Sequence, residues 1–91
     1  MIYNSLGRSG LKVSELCLGT MLFGRETNAR DSQAIIRSAL DIGINFIDTA
    51  DAYVGGESEK LIGRFIKTTR NQWILATKLA NKMSETPNYY R

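Results

Sequence analysis

Three side chains that can donate, hold or stabilise a proton follow two apolar segments of this 91-residue chain. Asp48 ends one apolar segment, Tyr53 follows it by five residues, and Lys78 ends the next apolar segment. An ammonium beside a phenol stabilises the phenolate and makes the phenol a better proton donor, while a carboxylate can orient that ammonium. Such a phenol could protonate an oxygen that gains negative charge, as a carbonyl oxygen does when its carbon accepts hydride. The residue types therefore predict general-acid chemistry.

Each of these residues also has a purely structural interpretation. A carboxylate after an apolar strand is often a turn or helix-capping residue. A tyrosine in a loop often packs through its ring, and a lysine after a strand often only meets solvent. What supports the functional interpretation is that the spacing of Asp48, Tyr53 and Lys78 brings all three to one edge of the predicted sheet. On this pattern alone both interpretations stay open.

Strands and helices are predicted to alternate along the chain. Residues 15–20, 44–48 and 73–78 are apolar enough for buried parallel strands, and their ends are 28 and 30 residues apart, the length of a strand–helix–strand unit. Asn28 is the predicted N-cap of the first helix and Gly43 lies just past its predicted end. The expected apolar faces are Ile35, Ile36, Ala39 and Leu40 in the first helix and Leu61, Ile62, Phe65 and Ile66 in the second, which opens at Glu57, Ser58 and Glu59 and carries Lys67 and Arg70 near its end.

This alternation predicts the beginning of a closed α/β barrel. A glycine-rich turn at residues 7–10 joins residues 2–6 to residues 11–13 as a β-hairpin ahead of the first strand. Eight strand–helix units of about 30 residues give the usual size of a (β/α)8 barrel. We therefore expect residues 1–91 to be the N-terminal part of one barrel domain, containing its first three βα units. Barrel active sites lie at the carboxyl ends of the strands, where Asp48 and Lys78 are expected to form an ion pair.

Composition argues against several classes of function. The net charge is +3, from twelve basic and nine acidic residues that are scattered along the chain, so no nucleic-acid partner is expected. The start does not resemble a signal peptide and no apolar stretch is long enough to span a bilayer, which predicts a cytoplasmic protein without membrane insertion. One cysteine and no histidine predict neither a disulfide nor a metal site. Residues 54–60, VGGESEK, do not predict a phosphate-binding loop, because Glu57 and Glu59 would repel an anion there.

The segment DIGINFIDTADAYVGGESEKLIG, residues 41–63, closely resembles the signature of the aldo-keto reductase family. LGRSGLKVSELCLGTM, residues 6–21, is similar to that family's N-terminal hairpin and first strand, and ILATK, residues 74–78, to its third strand, which ends in the catalytic lysine. The polar stretch after Lys78 is similar to an extended loop of the bacterial and channel-subunit-like branch. The resemblance implies a (β/α)8 barrel closed at the bottom by the hairpin. It also implies an oxidoreductase that reduces small aldehydes or ketones with a nicotinamide cofactor, usually NADPH.

The resemblance implies roles for individual residues. Tyr53 would be the general acid, with Lys78 and Asp48 as the pair that tunes it. The positions that match the family's cofactor contacts are Gly19, Thr20, Met21 and Asp48. The positions that match its carbonyl pocket are Met21, Phe23, Tyr53 and Val54. The family's catalytic histidine and its segment for the adenosine 2′-phosphate have no match in these 91 residues, so the chain by itself is expected neither to hold the cofactor well nor to turn over.

Two other hypotheses remain open at the level of sequence. The first is a non-enzymatic regulatory or binding subunit on the same fold, like the potassium-channel beta subunits, which retain the same catalytic residues. The second is that the 91 residues form a complete autonomous module, which predicts a cooperative thermal transition of the isolated chain. Against that module, three parallel strands would leave two open edges that favour aggregation.

Overall fold

The structure, a computed structural model, describes residues 1–79 as strands that alternate with helices. The strands are β1 (Tyr3–Ser5), β2 (Lys12–Ser14), β3 (Leu18–Gly19), β4 (Phe46–Asp48) and β5 (Ile74–Ala76). The α-helices are α1 (Ala29–Asp41) and α2 (Glu57–Phe65), and 3₁₀ turns occupy Tyr53–Gly56 and Lys67–Gln72. β1 and β2 pair as an antiparallel hairpin, while β3, β4 and β5 form a parallel sheet in that order. The hairpin and the strand–helix alternation were both predicted, whereas the polar stretch after Lys78 lies outside the described residues from position 80 onward.

Both ends of α1 follow from local sequence signals. The Asn28 side chain accepts a hydrogen bond from the Asp31 amide at 2.8 Å, which satisfies a free amide of the first turn. At the other end Gly43 has a φ of 96°, and the amides of Gly43 and Ile44 donate to last-turn carbonyls at 3.0 and 2.9 Å. The predicted N-cap and helix end are confirmed. Neither helix in the described part of the chain is long and apolar enough to cross a membrane.

The apolar core lies between the two helices and one face of the parallel sheet. Its centre is Ile47 of β4, which is fully buried. Ile35 was expected on the buried face of α1 but is 39% exposed, because the face that meets the core is centred on Ser32, Ile36 and Ala39 and Ile35 lies at its edge. The buried apolar cluster consists of Phe23, Ile36, Ala39, Ile44, Ile47, Leu61, Ile62, Ile66 and Trp73.

Several elements are shorter than their apolar patterns predicted. β3 spans two residues where residues 15–20 were expected, because the Glu15 amide instead donates to the Ile2 carbonyl at 2.9 Å and so extends the hairpin. α2 ends at Phe65, so Lys67 and Arg70 lie in the following 3₁₀ turn and not in the last turn of the helix. A continuous apolar pattern indicates a segment that contributes to the core, and it does not show at which residues the strand or helix ends.

The register of the sheet corrects one expectation about the site. Asp48 lies opposite Gly19 of β3 on one side and opposite Ala76 of β5 on the other. Lys78 was expected at the position next to Asp48, but β5 ends at Ala76 and Lys78 lies two residues farther along. A displacement of two residues keeps a side chain on the same face of a sheet. Lys78 therefore remains on the face that carries Asp48.

Asn45 attaches the hairpin to the opposite end of the sheet. Its side-chain oxygen accepts from the Ser14 amide at 2.7 Å and its side-chain nitrogen donates to the Lys12 carbonyl at 2.9 Å. The Tyr3 hydroxyl adds a hydrogen bond to the Gly43 carbonyl at 2.6 Å. Asn45 immediately precedes β4, so the hairpin lies at the amino ends of the strands and leaves the edge with Asp48 open.

Candidate active site

An ion pair stands at the carboxyl edge of the parallel sheet. The Lys78 Nζ lies 2.8 and 2.9 Å from the two carboxylate oxygens of Asp48 and 2.8 Å from the Thr49 carbonyl oxygen. These contacts can use all three ammonium protons of Lys78. Two consecutive residues, Asp48 at the end of β4 and Thr49 just after it, therefore hold the ammonium. Lys78 itself follows the neighbouring strand, β5.

The electrostatics of this pair keep the lysine charged. The hydrogen bonds that the Lys78 ammonium donates to Asp48 raise the pKa of Lys78 above its ordinary value, desolvation opposes this rise, and Tyr53 adds to it. The side chains of Lys78 and Asp48 remain 48% and 42% exposed, so the described residues do not give the pair low-dielectric surroundings. The pair accordingly acts as a fixed local charge more than as a source of stability.

Tyr53 lies directly beside the ammonium. The Lys78 Nζ is 5.1 Å from the centroid of the Tyr53 ring, within the range of a cation–π contact. Tyr53 begins the 3₁₀ turn that leads into α2, and its amide donates to the Ala50 carbonyl at 3.3 Å. The structure thus brings Asp48, Tyr53 and Lys78 together at one edge, and their catalytic role stays a prediction.

The backbone after Tyr53 adopts an unusual conformation. Val54, Gly55 and Gly56 have φ values of 50°, 62° and 98°, all in the left-handed region. The two glycines accept this conformation without strain. Val54 was not expected there, because a β-branched side chain crowds the backbone at positive φ. Val54 is held in this left-handed conformation by the turn around it, at a cost of about 1–2 kcal/mol.

A depression of about 260 Å³ opens next to Tyr53. Gly19 has no heavy atom within 4 Å of where a Cβ would stand, and Met21 is 60% exposed, so both border open space. Thr20 is fully buried and donates to the Asp48 carbonyl at 3.0 Å, which makes it part of the floor. The residues that line the depression are Gly19, Thr20, Met21, Leu22, Phe23, Thr27 and Tyr53.

Most of the residues singled out from the sequence therefore lie around one edge. Phe23 borders the depression, but at 4% exposed it is chiefly a core residue. Val54 is partly buried and is not among the lining residues. Asp48 does not line the depression either. Its neighbour in the sheet, Gly19 of β3, does line it, and so does Tyr53, whose ring the Lys78 ammonium contacts.

Sequence reasoning missed a set of polar residues that support this edge. Ser58 is fully buried beneath it, and the Glu59 carboxylate accepts a hydrogen bond from the Thr77 hydroxyl at 2.5 Å. The one signal available was that a threonine stands at the carboxyl end of each predicted strand, namely Thr20, Thr49 and Thr77. Threonine also has a high strand propensity, so this signal did not by itself indicate a support for the site.

Comparison with known proteins gives a consistent result. The model of the aldo/keto reductase family matches residues 15–91. The uncharacterized oxidoreductase YrpG of Bacillus subtilis is 43% identical over 95 residues, which cover 97% of this chain and 29% of that protein. A probable voltage-gated potassium channel subunit beta of Oryza sativa is 35% identical over 83 residues, which cover 87% of this chain and 25% of that protein. The chain spans less than a third of the length of these relatives.

A solved structure supports the same assignment. The aldo-keto reductase AKR11C1 from Bacillus halodurans, in its holo form, matches with a TM-score of 0.85 and 37% identity over 100% of this chain and 30% of that one. The predicted fold is confirmed: a β-hairpin followed by the first units of a (β/α)8 barrel, of which the third unit is represented by β5 within residues 1–79. The chain belongs to the aldo/keto reductase family of oxidoreductases.

Proposed function

We propose that Asp48, Tyr53 and Lys78 form the proton-donating half of an active site that reduces aldehydes and ketones to alcohols with hydride from NADPH. The observation that carries the proposal is the position of the Lys78 ammonium, which is bound by Asp48 and lies 5.1 Å from the Tyr53 ring centroid. A cation next to a phenol stabilises the phenolate that proton donation leaves behind.

In the proposed reaction Tyr53 supplies the proton. Its hydroxyl O–H bond breaks and a new O–H bond forms on the substrate oxygen, while the substrate carbon gains a C–H bond and the C=O π bond is lost. The Lys78 ammonium faces the resulting phenolate. Asp48 and the Thr49 carbonyl keep that ammonium in place, so no side chain needs to reorganise as the charge develops.

The described residues fit the nicotinamide end of the cofactor. Open space above Gly19 would let a flat ring approach the backbone beside the ion pair, and Met21 is exposed at the same edge. Gly19, Thr20, Met21 and Asp48 are the proposed contacts for this end. When bound, the reduced nicotinamide supplies the hydride. The preference for NADPH over NADH rests on the family resemblance.

The proposed substrate is a small carbonyl compound. Met21, Phe23, Tyr53 and Val54 are the residues of this chain proposed to shape its pocket. Met21 and Phe23 border the depression together with the Tyr53 ring, which places apolar surface next to the proposed proton donor. This combination suits a substrate with an apolar group attached to a polar carbonyl.

The test is the substitution Tyr53→Phe in the complete protein that carries this chain. The change removes the phenolic hydroxyl and keeps the ring beside Lys78. We expect kcat for NADPH-dependent reduction of a panel of aldehydes to fall by about 10²- to 10⁴-fold, the usual contribution of a general acid. Cofactor affinity, measured by quenching of protein fluorescence, should change little.

Tyr3→Phe is the matched control. The Tyr3 hydroxyl is also hydrogen-bonded, to the Gly43 carbonyl, but it lies in the hairpin at the opposite end of the strands. This variant should lose about 1 kcal/mol of stability and retain full activity. Undiminished turnover of Tyr53→Phe would exclude the proposed role of Tyr53. Cofactor binding by the wild type without any carbonyl reduction would instead favour a regulatory or binding subunit.

A further inference from the structure

Three hydroxyl groups form a buried network directly beneath the proposed site. Thr20, Thr49 and Ser58 are each at most 1% exposed. The Ser58 Oγ lies 2.8 Å from the Thr20 carbonyl oxygen, 3.2 Å from the Thr20 Oγ1 and 3.4 Å from the Thr49 Oγ1. The Thr20 Oγ1 in turn lies 3.0 Å from the Asp48 carbonyl oxygen. One serine of α2 thus contacts the ends of both β3 and β4.

The direction of these hydrogen bonds follows from the number of protons. Each hydroxyl can donate once. The Thr20 hydroxyl donates to the Asp48 carbonyl, and the Ser58 hydroxyl donates to Thr20, most closely to its carbonyl. The Thr49 hydroxyl is then the donor in its contact with Ser58. Every proton of the network is used, so removing one hydroxyl leaves another buried group without its partner.

The network acts on the groups that hold the ammonium. The Thr49 carbonyl accepts a hydrogen bond from the Lys78 Nζ, and the Asp48 carboxylate accepts two more. Ser58 contacts Thr49 directly and reaches the Asp48 backbone through Thr20. The position of the Lys78 ammonium therefore depends on the Ser58 side chain, although Ser58 does not itself reach the site.

Glu59, the residue after Ser58 in α2, extends this support to the end of β5. The Glu59 carboxylate accepts a hydrogen bond from the Thr77 hydroxyl, and Thr77 is the residue immediately before Lys78. Successive residues at the start of α2 therefore contact the exits of β3, β4 and β5. Tyr53 lies in the 3₁₀ turn that continues into this helix, so the phenol and the supports of the ammonium share one structural element.

We propose that Ser58 is a positioning residue, whose buried hydroxyl fixes the exits of β3 and β4 and thereby holds the Lys78 ammonium in place beside Tyr53. The inference rests on the proposed function of that site. Ser58 does not touch substrate or cofactor in this assignment. It acts through the Thr49 carbonyl and the Asp48 backbone, and displacements of about 1 Å in such supports are enough to slow a reaction by about a hundredfold.

The first test compares Ser58→Ala with Ser32→Ala in the complete protein. Ser32 is the matched control, because it is also fully buried near the start of a helix and donates to a backbone carbonyl, that of Asn28, at 2.7 Å. Both variants should lose a similar amount of stability. Only Ser58→Ala should lower kcat, by about ten- to a hundredfold, with KM changed by less than about threefold. Equal kcat values for the two variants overturn the inference.

A second pair of variants guards against misfolding of Ser58→Ala. Thr49→Val removes the hydroxyl next to Ser58 without changing the shape of the side chain, and it leaves the carbonyl that binds Lys78. Thr49→Ser restores the hydroxyl. We expect Thr49→Val to lower kcat severalfold and Thr49→Ser to recover it. Loss of activity in both, or in neither, contradicts a role for the hydroxyl network.

The titration of Lys78, followed by NMR of its side chain, separates this inference from the proposed function. In Ser58→Ala and Thr49→Val the pKa of Lys78 should move down towards its ordinary value, because the groups that bind the ammonium are displaced. Ser32→Ala and Thr49→Ser should leave it unchanged. If the wild type shows no carbonyl reduction, the proposed function fails, and this titration alone decides whether Ser58 positions Lys78. If the pKa of Lys78 in Ser58→Ala equals that of the wild type, the inference is overturned, even where the enzyme is active.

Discussion

Val54→Gly tests whether the turn after Tyr53 carries the strain that its backbone indicates. Val54 has a φ of 50° and a ψ of 43°, a left-handed conformation that costs an ordinary L-residue about 1–2 kcal/mol. Glycine adopts that conformation freely. Replacing Val54 should therefore remove a penalty that the folded protein bears at this position.

The net effect on stability follows from three terms of similar size. Release of the backbone strain stabilises the variant by about 1–2 kcal/mol. The partly buried Val54 side chain is lost, which costs about 1 kcal/mol, roughly half of the value for a fully buried valine. The more flexible unfolded chain costs a further 0.4–1 kcal/mol or so. We expect the free energy of unfolding of Val54→Gly to lie within about 1 kcal/mol of the wild type.

Urea unfolding of the complete protein measures this difference, with Val13→Gly as the control. Val13 is 7% exposed in β2 and its φ is not positive, so its replacement loses a buried side chain without releasing any strain. That variant should lose about 2–4 kcal/mol. If Val54→Gly loses as much as Val13→Gly, Val54 is not held in a left-handed conformation and the account of this turn is wrong.

Two further predictions concern the ends of the strands. Because Asp48 raises the pKa of folded Lys78, the stability contributed by the pair is complete below the ordinary lysine pKa, about 10.4, and is lost as the pH rises through the folded value. Asp48→Asn should lower the Lys78 pKa seen by NMR and abolish that alkaline loss of stability, and an unchanged titration would contradict the pairing. Asn45→Ala should cost about 1–3 kcal/mol and speed hydrogen exchange of the Ser14 amide. Asn45→Asp cannot donate to the Lys12 carbonyl, and its stability should lie between that of the wild type and that of Asn45→Ala. If the Ser14 amide stays protected from hydrogen exchange in both variants, the role of Asn45 is refuted.

The helix ends could be predicted because their signals are local. The Asn28 side chain bonds to an amide three residues away, and Gly43 is needed where φ is 96°. A Cβ on Gly43 would also stand 2.9 Å from the Tyr3 hydroxyl oxygen, which the sequence pattern could not show. The strand ends were less predictable, since an apolar residue such as Leu16 continues the pattern yet is 53% exposed.

The candidate site also has one part that the sequence predicted and another that it could not predict. The spacing of Asp48 and Lys78 predicted that they would meet, since one crossover brings two parallel strands side by side, and the register error of two residues did not change the face on which they lie. The support from Ser58 depends on distances between three separate elements, which no periodicity encodes. The strain at Val54 contradicts its local preference, and only the surrounding turn imposes it.

The contact between Asp48 and Lys78 spans 30 residues of chain and needs only the crossover through α2. The entropy lost in closing such a loop is modest, and folding is faster when contacts join nearby parts of the sequence. The charged pair can therefore form through one local crossover, without first closing contacts between distant parts of the sequence. Its formation is expected among the earlier contacts of folding, since it depends only on nearby parts of the sequence.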